Sequence, residues 1–276
     1  TCNADCVFCA YRHDKREKTL LGLDAITRMA TEFKRLGGRK IGLSPTLGET
    51  FVDREAVRKI QAVDRIGFDS IHTYSNASLM HKFGVENVLR SGLTELRISL
   101  PPMDEALYTR MYQNKNYTKV RGNLRDLVIA FGKMTDKTVQ NLHIEFRADR
   151  PLDACRELPD FKEYIEPHLG PGVHLSAMTS FDSWDGAVTQ ADMLPGMTLL
   201  DGTTKGAKRV PCGRMFILQV RSDGTIRQCG CRVDTAAPKD ELVIGHMDDM
   251  SLDEAFRSKK ARANIASFMR GEHLQI

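Results

Sequence analysis

The chain has 276 residues, 41% of them apolar and 28% charged, enough for one large domain plus an appendage. Its 40 Lys and Arg against 36 Asp and Glu leave a net charge of +4 spread along the sequence, so no nucleic-acid footprint is read. No apolar run approaches the length of a membrane span, and six of the seven cysteines fall in two tight groups, which indicates metal binding in a reducing compartment, the cytoplasm, rather than a disulfide framework.

The first stretch, TCNADCVFCAY, sets Cys2, Cys6 and Cys9 as C-x3-C-x2-C, with Phe8 and Tyr11 around the last of them. So short a loop can aim three thiolates at one centre. Thiolates favour iron–sulfur clusters, zinc or Cu(I), and a 4Fe–4S cube normally takes four of them, so three leave one iron open for a substrate or cofactor. His13 offers an alternative, because Cys2, Cys6, Cys9 and His13 also make a tetrahedral zinc set.

Leu23, Ile26, Met29, Ala30, Phe33 and Leu36 then recur at helical spacing and stop at Gly37-Gly38. A strand at 39–44 follows, then a helix on Val57, Ile60, Val63 and Ile66 stopped by Gly67. The alternation continues with strand 70–74, helix 78–90, strand 95–100, helix 117–133, strand 142–148, helix 160–168 and strand 173–178. Strands alternating with helices imply parallel β/α units, whose C-terminal strand ends carry the site. Those ends hold Pro45-Thr46-Leu47-Gly48-Glu49, Thr73-Tyr74-Ser75-Asn76, Ser99 before Pro101-Pro102, and Glu145 with Arg147, which alternation turns to one face. An inward Arg147 suits a carboxylate ligand. Plainer roles compete: Gly48 as a turn residue, Ser75 and Asn76 as helix caps, and Glu145–Arg147 as a structural ion pair. Trp184, flanked by Asp182 and Asp185, either lines a substrate pocket or seals a domain junction. Cys155 is read first as a buried inert thiol.

From about residue 187 the rhythm gives way to a polar linker. A second unit opens at Cys212, with strand 216–220, the turn Ser222-Asp223-Gly224, strand 225–228, Cys229 and Cys231. A last helix covers 251–269, capped by Ser251. The hairpin brings Cys229 back towards Cys212 for a second metal centre, with a zinc knuckle as the alternative.

The cysteine spacing, with an aromatic directly before the third cysteine, resembles the signature of the radical S-adenosylmethionine (SAM) superfamily. Cys212-x11-Gly224-x4-Cys229 is similar to the opening of the SPASM and twitch domains appended to many of its members. The resemblance implies an α/β fold: an open, partial (β/α)6 TIM-like barrel over 1–186 with its first strand upstream of Thr1. A linker at 187–211 then leads to a small hairpin-plus-helix auxiliary domain at 212–276, whose terminal Cys-x2-Cys would follow Ile276.

By the same resemblance Cys2, Cys6 and Cys9 hold a 4Fe–4S cluster whose open iron chelates SAM. Reductive cleavage then gives methionine and a 5'-deoxyadenosyl radical that takes a hydrogen atom from substrate. The implied cofactor-binding residues are Phe8, Gly48, Glu49, Ser75, Asn76, Ser99 and Arg147. Gly48-Glu49 stands where the family's Gly-Gly-Glu binds the SAM amino group, although Leu47 replaces the first glycine. Arg110, Gln113 and Lys115 lie near a family arginine position and are not assigned. Cys212, Cys229 and Cys231 are the implied ligands of an auxiliary 4Fe–4S cluster, and Cys155 is placed where a thiol returns a hydrogen atom in radical epimerases. The substrate is expected to be a peptide or small polar natural product, undergoing oxidation, cross-linking or epimerisation. The alternatives are dehydrogenation of an aminocyclitol or sugar within the superfamily and, outside it, a non-catalytic zinc scaffold. The implied electron donor is a flavodoxin or ferredoxin, with neither nucleic acid nor membrane as partner.

Overall fold

Along the strand Glu95–Leu100 every second residue, Leu96, Ile98 and Leu100, is buried while those between are half-buried, and the strands Asn141–Arg147 and Ser70–Ser75 repeat the pattern. A period of two sets one row of side chains against helices and the other on an open polar face. The computed structural model describes residues 1–184, 186–200, 213–229 and 240–270. In chain order it contains α1 (Leu23–Arg35), β1 (Lys40–Gly42), α2 (Ala56–Asp64), β2 (Ser70–Ser75), α3 (Val85–Leu89), β3 (Glu95–Leu100) and α4 (Glu105–Tyr112). These are followed by α5 (Tyr117–Lys133), β4 (Asn141–Arg147), α6 (Leu152–Arg156), α7 (Pro159–Tyr164) and β5 (Val173–Met178). The strands form one parallel sheet in the order β1-β2-β3-β4-β5, the partial TIM-like barrel expected from the alternation. Leu96, Ile98, Leu142, Ile144 and Phe146 pack outward on Val88, Leu89, Leu124, Leu127 and Phe131 of the helices. Each such side chain, fully buried, contributes about 1.5–3 kcal/mol.

The structure corrects several element expectations. The helix read over 78–90 is a 3-10 turn at Met80–Lys82 and then α3, because Gly84 between them has φ +77° and breaks the helical path. The helix read over 160–168 is α7 and a further 3-10 turn, Glu166–His168, with α6 just before them. Pro159 and Pro167 lack the N–H that a continuous helix would need. Helix α4 is an addition to the expected elements; the Asp104 side chain caps it by accepting from Leu107 N.

Beyond β5 the chain forms β6 (Ser180–Asp182) and β7 (Thr198–Leu200), which pair in parallel. The stretch read as a linker therefore carries a strand, and its Val188, Met193 and Met197 are buried. The C-terminal unit is a three-stranded antiparallel sheet rather than a two-stranded hairpin, ordered β10-β9-β8 from β8 (Leu218–Val220), β9 (Thr225–Gln228) and β10 (Val243–His246). The final helix is divided into α8 (Leu252–Arg257) and α9 (Lys259–Met269) at Ser258, which caps the second. Ser251 caps α8 as expected, in a capping box with Glu254. Cys212, Cys231 and Asp185 lie outside the described residues.

Helix α1 joins the two units. Met29 packs with Ile226, Met247, Leu252 and Ala255, and Glu32 Oε1 accepts from Leu252 N at 2.8 Å where α8 begins. The other face of the C-terminal sheet is polar. Asp240 Oδ2 accepts from both Arg221 and the fully buried Arg227 at 2.7 Å, and Gln219 Nε2 donates to Thr46 Oγ1 in the loop after β1. Among the described residues no helix is long and apolar enough to cross a membrane.

Candidate functional site

The cysteine loop lies across the C-terminal ends of the parallel strands, tied down by groups other than its thiols. Thr1 O accepts from Glu49 N after β1 at 3.0 Å. Asn3 Nδ2 donates to Ser78 Oγ at 2.6 Å, and Asn3 Oδ1 accepts from Asn76 Nδ2 at 2.9 Å, both partners following β2. Asp5 N and Val7 N donate to Tyr112 O and Met111 O at the end of α4 (3.2 and 2.9 Å). The Phe8 ring stacks on Phe181 of β6 at 4.8 Å and is tilted against Tyr112 at 6.0 Å. Phe8, carried over as a cofactor residue, is thus also a packing residue that seats the loop.

Cys2, Cys6 and Cys9 are each partly buried. Burial pushes all three thiols up, Cys6 well above the ordinary range and Cys9 to about 11. Repulsion from Cys9 and Cys2 adds to the rise at Cys6. Against that, backbone N–H groups point at the sulfurs, with Tyr11 N donating to Cys9 Sγ at 3.4 Å. Three soft donors at short spacing on one loop, with backbone N–H groups directed at sulfur, suit an iron–sulfur cluster. Among the described residues no three His, Cys, Asp or Glu groups converge on a single-ion point, and His13 is exposed.

Gly48 and Glu49 support the loop. Gly48 has φ +149°, and a Cβ there would stand 2.8 Å from Thr1 O and 3.1 Å from Pro45. The Gly48→Ala variant is expected to lose about 1–3 kcal/mol of stability, the scale of strain in glycine-only backbone regions. Gly122→Ala in α5 meets nothing within 4 Å. It should move the other way by roughly 0.5–1 kcal/mol, and chemical denaturation of the pair reads both signs. Glu49 is buried; its Oε1 accepts from Ser75 Oγ (2.8 Å) and Phe51 N (3.1 Å), and its Oε2 from Asn76 N (2.7 Å). Ser75 Oγ in turn accepts from Ala77 N, and Asn76 Oδ1 accepts from Ser78 N, both at 3.0 Å. Ser75 and Asn76 therefore hold the strand end and, through Asn3, the cysteine loop.

Ser99 and Arg147 do meet, with Arg147 Nε donating to Ser99 Oγ at 2.9 Å. Arg147 Nη2 lies 3.4 Å from Glu145 Oε2, so the expected pairing of Glu145 with Arg147 is also present. Sequence reasoning missed Arg97, which bridges Glu95 and Glu145, the latter at 2.6 Å. It also missed His143 and His174, stacked at 4.7 Å on β4 and β5, and Tyr112, whose hydroxyl donates to Ser99 O at 2.8 Å. The signal was available for Arg97, which alternates with Glu95 and Ser99 on one strand face. Together these side chains make the inner face of the sheet polar but self-neutralised. Burial, then the nearby Arg97 charge, lowers the His143 pKa and favours the neutral ring.

Arg110, Gln113 and Lys115 lie at and just beyond the end of α4, and Gln113 Nε2 donates to Arg110 O. Cys155 is fully buried in the outer core, with Sγ 3.7 Å from Arg150 O and its thiol pushed up to about 11 by burial. Cys229 follows β9 directly, at φ +62°.

No protein-family model matches the chain. Over 125 residues it is 31% identical to GTP 3',8-cyclase of Rhodopirellula baltica, a match that takes in 43% of this chain and about a third (34%) of that relative's length. Among solved structures it resembles BtrN in complex with AdoMet and 2-DOIA at TM-score 0.54 and 11% identity, covering 98% of this chain and 84% of that one. It also resembles Streptococcus suis SuiB bound to precursor peptide SuiA (TM-score 0.58, 13% identity, 97% of this chain and 64% of that one). A third similar structure is anSMEcpe with bound AdoMet (TM-score 0.58, 13% identity, 98% of this chain and 77% of that one). These solved neighbours are radical SAM enzymes, and at such identities the likeness is one of fold. The chain therefore shares the fold of the radical SAM superfamily, with its C-x3-C-x2-C loop lying across the strand ends of that fold.

Proposed function

We propose that this chain is a radical SAM enzyme that uses Cys2, Cys6 and Cys9 to hold a catalytic 4Fe–4S cluster and acts on a peptide or polar natural-product substrate at the mouth of the sheet. The observation that carries the reading is the three-thiol loop tied to the ends of β1, β2 and β6 and to α4. When bound, the cluster and SAM supply a 5'-deoxyadenosyl radical able to take a hydrogen atom from an unactivated C–H bond.

The protein's own residues bind and orient. Ser99 and Arg147 offer a hydroxyl and a guanidinium on the inner face, suited to the carboxylate of SAM. Gly48 brings the loop after β1 against Thr1 O, and Glu49 locks Ser75 and Asn76 so that Asn76 can fix Asn3. Phe8, stacked on Phe181, keeps that side of the loop dry.

The division into a barrel at 1–186, a junction at 187–211 and an auxiliary unit at 212–276 is part of the proposal. So is an auxiliary 4Fe–4S cluster on Cys212, Cys229 and Cys231, which would accept an electron from the substrate or support the fold. SuiB, a structural neighbour solved with a precursor peptide, supports the peptide side of the reading. The second reading, dehydrogenation of an aminocyclitol or sugar, draws on the inner face, where the neutral His143 ring and the Ser99 hydroxyl stand beside mutually paired charges and suit hydroxyls. A cytoplasmic setting with a flavodoxin or ferredoxin donor completes the proposal.

The test is anaerobic. Full chain is purified, iron, sulfide and zinc are quantified, and dithionite and SAM are added. Iron and sulfide with formation of 5'-deoxyadenosine support the reading. Zinc in place of iron, with SAM intact, overturns it in favour of the zinc scaffold.

A further inference from the structure

The sole tryptophan, which sequence suggests as a pocket or junction residue, makes a direct bond to the cysteine loop. Trp184 Nε1 donates to Phe8 O at 3.1 Å. That carbonyl belongs to the Phe8–Cys9 peptide, and the N–H of the same peptide, on Cys9, donates to Cys6 O at 3.1 Å. Both polar ends of the peptide that carries the third cysteine are therefore held.

The indole also packs with the fully buried Ala10 and with Leu47, beside Cys9 and Tyr11. Its backbone is unusual. Trp184 has φ +51°, a left-handed conformation that costs a large side chain energy and persists only where surrounding contacts fix it. Those contacts are Asp182 Oδ1 accepting from Trp184 N at 2.7 Å and Ser183 O accepting from Gly186 N and Val188 N at 3.0 and 2.9 Å. Two residues ahead of this turn's start, Phe181 stacks on the Phe8 ring. The segment 181–184 thus grips Phe8 from both sides, by its ring and by its carbonyl.

We propose that Trp184 is a positioning residue for Cys9: its indole N–H fixes the Phe8–Cys9 peptide and its ring shields the third thiolate from water. The proposal rests on the iron–sulfur reading of Cys2, Cys6 and Cys9. Because the N–H is used inside the protein, the polar edge of the ring is not available to a substrate.

Being the only tryptophan, Trp184 reports on its own site. In the full chain, assembly of the cluster with iron and sulfide should quench Trp184 fluorescence several-fold, and the quench should be absent when Cys2, Cys6 and Cys9 are all alanine. Trp184→Phe keeps the ring and loses the N–H, while Trp184→Leu loses both. Each should release iron to a ferrous chelator faster, by about 10–100-fold, the usual effect of removing a group that orients a metal ligand. The metal-free Phe variant should melt with the metal-free wild type, which separates positioning from simple packing. Iron and sulfide present with unquenched emission, or wild-type iron retention in Trp184→Phe, would overturn the proposal. A wild-type chain that binds zinc and no iron would instead overturn the reading beneath it, and the proposal with it.

Discussion

Alanine at Cys2, Cys6 and Cys9 together is expected to abolish iron binding at the N-terminal loop and bring SAM cleavage to background, while leaving the metal-free fold intact. The loss should be total within any assay, since enzymatic accelerations of about a million-fold or more leave nothing measurable without the reacting centre. The fold should survive because the loop is anchored through Thr1 O, Asn3, Asp5 N, Val7 N and Phe8, whereas the thiols add only weak sulfur contacts such as the 3.4 Å bond from Tyr11 N to Cys9 Sγ. Single variants should cost nearly as much activity as the triple, because ligands that act as a unit are not additive. Iron and sulfide analysis, 5'-deoxyadenosine formation and a melt of the metal-free proteins read all of this. Undiminished SAM cleavage by the triple variant would put the chemistry elsewhere in the molecule.

The parts of this protein written in local pattern were legible in its sequence. The strands at 95–100 and 173–178 and the helix at 117–133 have the predicted bounds, because their apolar periodicity is long and their ends carry turn residues. The cysteine loop was legible as three soft ligands at short spacing. Hidden were features set by tertiary contact. Asn3 looks like any loop residue until the fold brings Asn76 and Ser78 to it, 73 and 75 positions away. Trp184 meets Phe8 across 176 positions. Strand β10 escaped because Val243–His246 is short, and only pairing with β9 makes it a strand. Ser75 and Asn76 show a different ambiguity: short polar residues at a strand end suit a ligand or a buried network equally, and here they are tied to Glu49.

Glu49→Ala is expected to produce the largest loss of stability among changes at the mouth of the sheet. It would orphan Ser75 Oγ, Phe51 N and Asn76 N in a buried setting. Each unsatisfied donor costs about 1–3 kcal/mol, and relaxation makes the sum less than additive, so a total of roughly 3–5 kcal/mol is expected. The effect should reach the cysteine loop, since Asn76 would lose the bond that holds it against Asn3. Glu49→Gln is the sharper probe: its amide oxygen can still accept from two donors, but its NH2 faces the remaining N–H, for a smaller loss of about 1–3 kcal/mol. Burial raises the Glu49 pKa, and the three hydrogen bonds, which favour the anion, only partly offset it. The folded protein thus holds this proton more tightly than the unfolded chain does. Its contribution is fully present below the ordinary carboxylate pKa and is lost as pH rises through the folded value. Glutamine cannot titrate, so the stability gap between wild type and Glu49→Gln should be widest in mild acid and narrow towards neutral pH. Urea unfolding of both proteins across that range reads the sign, and a gap that widens with pH would show that the hydrogen bonds, not burial, govern this carboxyl.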